Sequence, residues 1–516
     1  MNGQPMQPVA STRPYGAADS FSQELSSWFP HLGSADTDYL HDRDMIVSRT
    51  RDLVRNSGWA SGALSRHLDN VIGSGFRLSS KPDYKALGLD IEWAKDFAAE
   101  VEGRWRLFSE DPDNWIDAAR QDNFNGLLGL AYRHKLTDGE ATAAVLWLNN
   151  KPFGRYATTI KLIDPDRLSN PNNLYDTEYL KGGVELDVHG APKAYHIRNG
   201  HPSDWHLNTK SYSWTRIPRE TRWGRKRFIH AYDKERAGQT RGIGILTPVI
   251  ERLKMIDKYD RVELQAALVN AIFAAFIESP FDHEMLDEAV GADHLNKYQQ
   301  ARSEFHDKRQ VRLDGVRIPT LFPGESFNFQ AASRPAAQFG EFEKACLRNI
   351  AAGTGLSYEQ ISQDWSETNY SSARGALLEV WKTLNRNRIS FADKFATPVF
   401  ILFMEEAINR GDIKLPKNAP DFYSAKAAYC KLKWIGQGRG WVDPVKESQA
   451  AQIRMDIGIS TLEDECADQG KDWQEVLTQR KLEEDYKREL GLNRPGWADK
   501  MAMPHPNQIE EDEKNA

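Results

Sequence analysis

With 516 residues, of which 40% are hydrophobic and 10% aromatic, the chain can bury a large core, and its length predicts about three domains. Lys and Arg total 67 against 74 Asp and Glu, and the resulting net charge of -7 excludes a protein that coats duplex nucleic acid with a basic surface. Cys346, Cys430 and Cys466 lie far apart with no CxxC pair, which excludes a zinc ribbon or an even disulfide framework and points to folding in a reducing cytoplasm.

Residues 1–20 are polar and rich in Pro and Gly, without the apolar core of a secretory signal. A loosely ordered arm is expected over residues 1–40, able to dock through Trp28 and Phe29. Over residues 44–72 apolar side chains recur at helical spacing, which predicts two helical pieces hinged near Gly58 and stopped by Gly73-Ser74-Gly75. Further helices are expected over 91–108 and 115–136, the second closed by the Asp138-Gly139 turn.

From 141 to 229 the pattern changes to short β-prone runs at 142–147, 158–163 and 194–197, divided by Asn, Pro and Gly. Thr247-Pro248 then supplies an N-cap followed by proline at the first helical position, where its missing N–H costs nothing. Nothing breaks that helix before Ser279-Pro280, so it spans about 45 Å at 1.5 Å per residue. Its first half is charged on one side. Its second half, 264–277, is apolar nearly all round and must be enclosed by neighbours. At 266–277 the longest apolar stretch contains Asn270 and falls short of the ~20 residues of a membrane span.

Residues 281–330 read as a small α+β module with β-like runs at 311–318 and 326–329. Helical pattern resumes at 336–352, breaks at Gly353-Thr354-Gly355, and returns from Ser372 to about Asn409, where Gly411 ends it. Between them lies a polar loop, 363–371. Beyond Gly411 come Trp434 and Trp441 among glycines, read as core aromatics at a sharp turn. One helix then opens with Asp443-Pro444, another is capped by Ser460 with Glu463, and the acidic end 510–514 follows. The fold class is α+β, mainly helical.

No Gly-rich loop ending in Gly-Lys-Ser/Thr is present, so ATP phosphates have no visible cradle. His283-Glu284 starts like a zinc-protease motif, but position 287 is aspartate, and no G-x-S-x-G nucleophile elbow occurs. Neither a catalytic residue, nor a metal ligand, nor a cofactor is assigned. Arg222, Arg225, Lys226 and Arg227 with Trp223 have phosphate-binding composition, but a solvated or intersubunit salt-bridging edge is the better reading. Asp233, Lys234, Glu235, Arg236 and Arg241 around Gly238 and Gly242 read as a turn pinned by ion pairs.

Four blocks carry a resemblance. They are Arg49-Thr50-Arg51-Asp52-Leu53-Val54-Arg55-Asn56 followed by Asn70-Val71-Ile72-Gly73-Ser74-Gly75-Phe76; His230 with Glu235-Arg236-Ala237-Gly238-Gln239-Thr240-Arg241-Gly242; Asn369-Tyr370-Ser371-Ser372-Ala373-Arg374; and Asp443-Pro444-Val445-Lys446-Glu447. In this order they resemble the lambda-type family of tailed-bacteriophage portal proteins, over residues 43–491. The resemblance implies a portal architecture of wing, stem, clip and crown with long stem helices, assembling as a closed and usually dodecameric ring around a DNA channel.

On that resemblance the arm at 1–40 leads to a wing (41–240), a first stem helix (241–279), a clip (280–333) and a second stem helix (334–353). A tunnel loop (354–372), a long tunnel or wing helix (373–410), a wing or crown helical region (411–492) and an acidic tail (493–516) complete the order. Gln363, Trp365, Ser366, Thr368, Asn369 and Tyr370 are then the DNA-tunnel residues. The loop is near neutral, and sliding DNA favours it, because each phosphate neutralised by Lys or Arg adds counterion-release affinity that would hold the duplex in place. Arg374, Lys382, Arg386 and Arg388 are expected to meet DNA or a neighbouring subunit. Leu268, Ile272, Ala275 and Phe276 are expected to pack the stem between subunits.

The implied partners are the chain itself, as a ring of about 12 subunits, the large terminase subunit, major capsid and scaffolding proteins, a head-tail adaptor, and double-stranded DNA passing non-specifically; no membrane is involved. The implied location is the portal vertex of the virion, after assembly in the host cytoplasm. Two alternatives are a head-tail adaptor or minor capsid protein, usually far shorter, and a phage hydrolase using the acidic segment 100–117. Neither needs the long uninterrupted helix between small modules.

Overall fold

A computed structural model describes residues 15–20, 22–149, 155–204, 206, 209–276, 311–313, 316–318, 339–366, 370–438 and 443–492. The chain divides into two compact units. The first comprises Met1–Ser48, Arg106–Gly244 and Asp393–Lys414; the second comprises Arg49–Trp105, Ile245–Ala392 and Leu415–Ala516.

The first unit opens with α1 (Ala35–Tyr39), N-capped by Ser34, whose side chain accepts from the Thr37 N–H. Helix α2 (Arg43–Asn56) begins in this unit and ends in the second, where α3 (Gly58–Val71) follows; the break falls one residue before Gly58, as the spacing predicts. Strand β1 (Arg77–Ser80), the short α4 (Tyr84–Leu87) and α5 (Ile91–Ser109) come next.

The helix expected from residue 115 instead starts at Phe124, giving α6 (Phe124–Asp138) with Asn123 as its N-cap. Its predicted first turns are irregular because Asp117 turns the chain on itself. One of its carboxylate oxygens accepts from the Ala119 N–H at 3.0 Å and the other from the Gln121 N–H at 2.9 Å. These bonds compete with the helical ladder, and Asn114 and Arg120 take positive φ on either side.

Strand β2 (Glu140–Trp147) sits between β3 (Thr158–Ile163) and β8 (Phe228–Tyr232) in an antiparallel three-stranded sheet. Strands β4 (Leu180–Lys181), β5 (Val184–Leu186), β6 (Pro192–Arg198) and β7 (Trp214–Pro218) form a four-stranded antiparallel meander. Ala144, Ile163 and Phe228 from the first sheet and Val184, Tyr195 and Ile197 from the second share one apolar core.

In the second unit Thr247–Val249 is a 3-10 turn that leads into α7 (Ile250–Phe276), a helix of 27 residues. Strands β9 (Val311–Leu313) and β10 (Val316–Ile318) pair as an antiparallel hairpin. The rest of the predicted 281–330 module lies outside the described residues. Helix α8 (Phe339–Thr354) returns antiparallel to α7. Tyr259 of α7 stacks on Phe339 at 5.4 Å between ring centroids, while at the other end a Cβ on Gly353 would come within 2.5 Å of the Val249 side chain. Glycine at 353 is therefore what lets the two helices close.

After α9 (Tyr358–Ser362) comes α10 (Tyr370–Phe391), continued through a π-helical turn at Ala392–Ala396 into α11 (Thr397–Asn409). Gly411, at φ +76°, ends the run where the sequence places the stop. Helix α11 belongs to the first unit and buries Phe400, Leu402, Phe403 and Met404. In the second unit α12 (Lys426–Tyr429) precedes β11 (Leu432–Ile435), which pairs with β1 and sets Trp434 against Phe76 and Trp105. Trp441 lies outside the described residues.

Helices α13 (Pro444–Asp456), α14 (Leu462–Asp468) and α15 (Trp473–Glu489) close the described chain. Asp443 caps α13 as expected. The capping box of α14 sits one residue later than predicted, on Thr461 and Asp464 rather than Ser460 and Glu463.

Candidate functional site

The polar loop after α9 is shaped by its own side chains. Gln363 takes the left-handed conformation at the end of α9, at φ 58°, and its amide donates to the Gln360 carbonyl at 2.6 Å. The Asp364 carboxylate accepts from the Ser366 hydroxyl at 2.6 Å and from the Ser366 N–H at 3.0 Å. Those two bonds hold its carboxyl below the usual range. Trp365 stands between them, 40% exposed. Thr368 and Asn369 lie outside the described residues, and Tyr370 is the first residue of α10 rather than a loop residue.

Along α10 the residues Val380, Leu384 and Arg388 are buried, while Arg374, Leu378, Lys382 and Arg386 are exposed at successive intervals of four. The expected set of four basic residues therefore splits. A helix turns about 100° per residue, so Arg388 lies on the far side from Arg386. It is not available for DNA or a neighbouring subunit, because its guanidinium donates to the carbonyls of Val71 (3.1 Å) and Asn70 (2.6 Å) at the end of α3. There it satisfies carbonyls that the helix itself leaves without partners. Lys382 is exposed and pairs with Glu379 at 2.6 Å.

Helix α7 changes character along its length. Leu253 and Ile256 are fully buried within the unit, whereas Val262, Leu264 and Leu268 are exposed, Leu264 by 64%. The backbone stays helical through Ile272, Ala275 and Phe276, whose side chains lie outside the described residues.

A family model described as phage portal protein, lambda family, matches residues 21–388. The portal protein of Escherichia phage N15 is 36% identical over 94% of this chain and 92% of its own length. Portal protein B of Escherichia phage lambda is 35% identical over 97% of this chain and 95% of its own. The chain belongs to the lambda family of phage portal proteins. Proteins of this portal family are structural, and the chain is not an enzyme. Among solved structures, a chain from the virion of a native gene transfer agent particle aligns over 84% of this chain and 99% of its own, loosely, with 12% identity and a TM-score of 0.36.

The portal chain also contains an ionic node that sequence reasoning missed. Glu140, at the start of β2, is completely buried. Its carboxylate accepts from Arg241 Nε at 2.7 Å, from Arg43 Nη2 at 3.2 Å and from the Gly242 N–H at 3.3 Å, and lies 2.7 Å from His230 Nε2. Arg241 donates onward to the carbonyls of Leu168 and Gly182, both at 2.6 Å, and of Pro165 at 2.9 Å.

Burial alone pushes the Glu140 carboxyl up, but Arg241, His230 and Arg43 outweigh it and hold the acid well below the carboxylate range. Burial likewise pushes the His230 imidazolium down, against the pull of Glu140. Burial raises the Tyr39 phenol nearby to about 12.

The turn pinned by ion pairs expected around Gly238 and Gly242 is thus corrected in part. Arg236 pairs with Asp38 at 2.8 Å and Arg241 with Glu140, both long-range partners. Gly242 is required by close approach, since a Cβ there would meet the Gly139 carbonyl oxygen at 2.0 Å. In the basic cluster before β8, Arg225 is buried. It donates to Glu405 at 3.2 Å and to the Thr158 hydroxyl at 2.7 Å, and Trp223 Nε1 holds the other Glu405 oxygen at 2.9 Å. Arg222 and Arg227 are exposed, as a solvated edge expects, but Arg225 pairs within the chain rather than with a neighbouring subunit.

Proposed function

We propose that copies of this chain close into a ring of about twelve subunits, the closed cyclic form that its family resemblance implies, and that double-stranded DNA enters and leaves the phage head through it. The carrying observation is α7. Its first turns bury Leu253 and Ile256 in their own unit, while Leu264 and Leu268, one turn apart, expose apolar side chains on one face and Val262 on another, apolar surface that a soluble monomer would not keep. Neighbouring copies would cover it, with Ile272, Ala275 and Phe276 continuing the contact.

In this reading α7 and α8 are the stem pair, residues 280–333 the clip, residues 41–240 and the helices after 411 the wing and crown, and the loop from Gln363 to Tyr370 faces the channel. The loop's described half carries one carboxylate, held by Ser366, and no cation. Such a surface offers a passing duplex weak, sequence-independent contacts without counterion release. The exposed stripe of Arg374, Lys382 and Arg386 meets either DNA or carboxylates of the next subunit. The large terminase docks during packaging and a head-tail adaptor afterwards, with capsid and scaffolding proteins around the rim, at one vertex of the virion.

A photo-crosslinking amino acid at Ser366 tests the channel placement. In heads filled with DNA it is expected to crosslink DNA, while the same probe at the exposed Val188, beyond β5, does not. Crosslinking at 188 but not at 366 would reject the placement.

A further inference from the structure

We propose that the first unit binds one divalent transition-metal cation of the zinc class through Asp164, Asp166 and His201. One ligand atom from each of the three side chains lies within 4.8 Å of the other two. They come from two segments, the Asp164-Pro165-Asp166 turn after β3 and the His201 turn after β6, so an ion would join the turns that follow a strand of each sheet.

The His201 ring is fixed from its far side. Ser203 engages Nδ1 through its hydroxyl at 2.7 Å and through its N–H at 3.2 Å, and the same hydroxyl donates to Asp204 at 3.2 Å. That leaves Nε2 facing Asp166 Oδ2 at 3.4 Å, long for an N–H···O bond. It is the separation of two ligands on one edge of a tetrahedron about an ion bonded at about 2.1 Å, an edge of roughly 3.4 Å. On binding, Nε2 serves the metal and the imidazole proton moves to Nδ1, which gives up the Ser203 N–H and donates instead to the Ser203 hydroxyl, whose own hydrogen bond goes to Asp204. This is the outer-shell arrangement that orients a metal-bound histidine.

A nitrogen donor with two carboxylates selects zinc, cobalt or manganese over calcium and magnesium, which take all-oxygen shells. Three protein ligands leave a position for water. Two arginines oppose the ion. Arg43 Nη1 lies 3.8 Å from Asp166, and Arg167 feels the charge of Asp164. Both have other partners, Arg43 on Glu140 and Arg167 on the Arg198 carbonyl, so the site is expected to bind at micromolar rather than nanomolar concentration.

The test is calorimetric titration of the full chain with zinc chloride, with cobalt(II) absorption as a second reading of the ligand set. One site per chain is expected, together with a cobalt d–d band and a raised melting temperature on adding metal. His201→Gln and Asp166→Asn should each weaken that site at least tenfold with unchanged circular dichroism. His196→Gln, at a similar His and Glu pair, should leave it intact. Should one of the two site variants not fold, the other decides. Absence of a site, or zinc binding that survives both site variants, would overturn the proposal.

Discussion

Replacing Glu140 by Gln keeps the shape of the side chain and removes the negative charge that Arg241 and Arg43 share at the node. Arg241 is 2% exposed and cannot turn to water. Removing one partner of a buried pair costs about 3–5 kcal/mol, because the remaining charge stays desolvated. For a unit of about two hundred residues, at about 2–4 °C per kcal/mol, the melting temperature should fall by about 6–20 °C. Scanning calorimetry on the wild type and on Glu140→Gln reads this directly, with Glu379→Gln at an exposed pair as the control that shifts by less than about 1 kcal/mol.

The node also sets a pH dependence. Glu140 has a folded pKa below the ordinary 4.5, so its stabilisation is present above that value and is lost as pH falls through the folded pKa. His230 has a folded pKa below 6.5, so the unfolded chain takes up its proton first, and stability declines from about pH 6.5 downward. A Glu140→Gln protein that melts within 2 °C of wild type at pH 7 would refute the reasoning, because the arginines would then have found water or another acid.

Three further outcomes follow from the same geometry. Arg388→Ala should cost about 1.5–3 kcal/mol in chemical denaturation, as charged hydrogen bonds to the α3 carbonyls are lost, whereas Arg386→Ala on the exposed face should cost under about 0.5 kcal/mol. Leu268→Asp, like Ala275→Asp, should leave the circular dichroism of the monomer unchanged and abolish rings by mass photometry; normal rings would reject the stem placement. Gly242→Ala should destabilise the first unit by more than about 2 kcal/mol, since the added Cβ meets a backbone oxygen, and limited proteolysis should show the 233–246 segment cut faster.

Periodic elements were legible from the sequence because burial imposes the period. The break at Gly58 and the stop at Gly411 fall where the sequence places them, whereas Thr247 does not cap its helix: Leu246 holds the cap position without a side-chain bond and Pro248 is the second residue of the turn. The segment from 115 was misread because it has helical composition, while the backbone bonds of one buried side chain, Asp117, cannot be seen in a periodicity. Strands β1 and β11 are four residues each and pair across more than 350 positions, too short and too distant for any local signal.

The four blocks carried the family, and the resemblance rather than the composition pointed to the loop. Arg388 could have been separated from Arg374, Lys382 and Arg386 by counting around the helix. Glu140 could not have been found, because a glutamate beginning a strand reads as surface until its partners from residues 43, 230 and 241 are placed beside it.

The central claim, that this chain builds a ring channel, is tested most directly by negative-stain electron microscopy with mass measurement of the purified full-length chain and of heads assembled with it. The account predicts closed rings of about twelve subunits around a central hole, free or at one vertex of each head. A chain that stays monomeric in solution and forms no ring at any vertex of heads that nevertheless fill with DNA would contradict it.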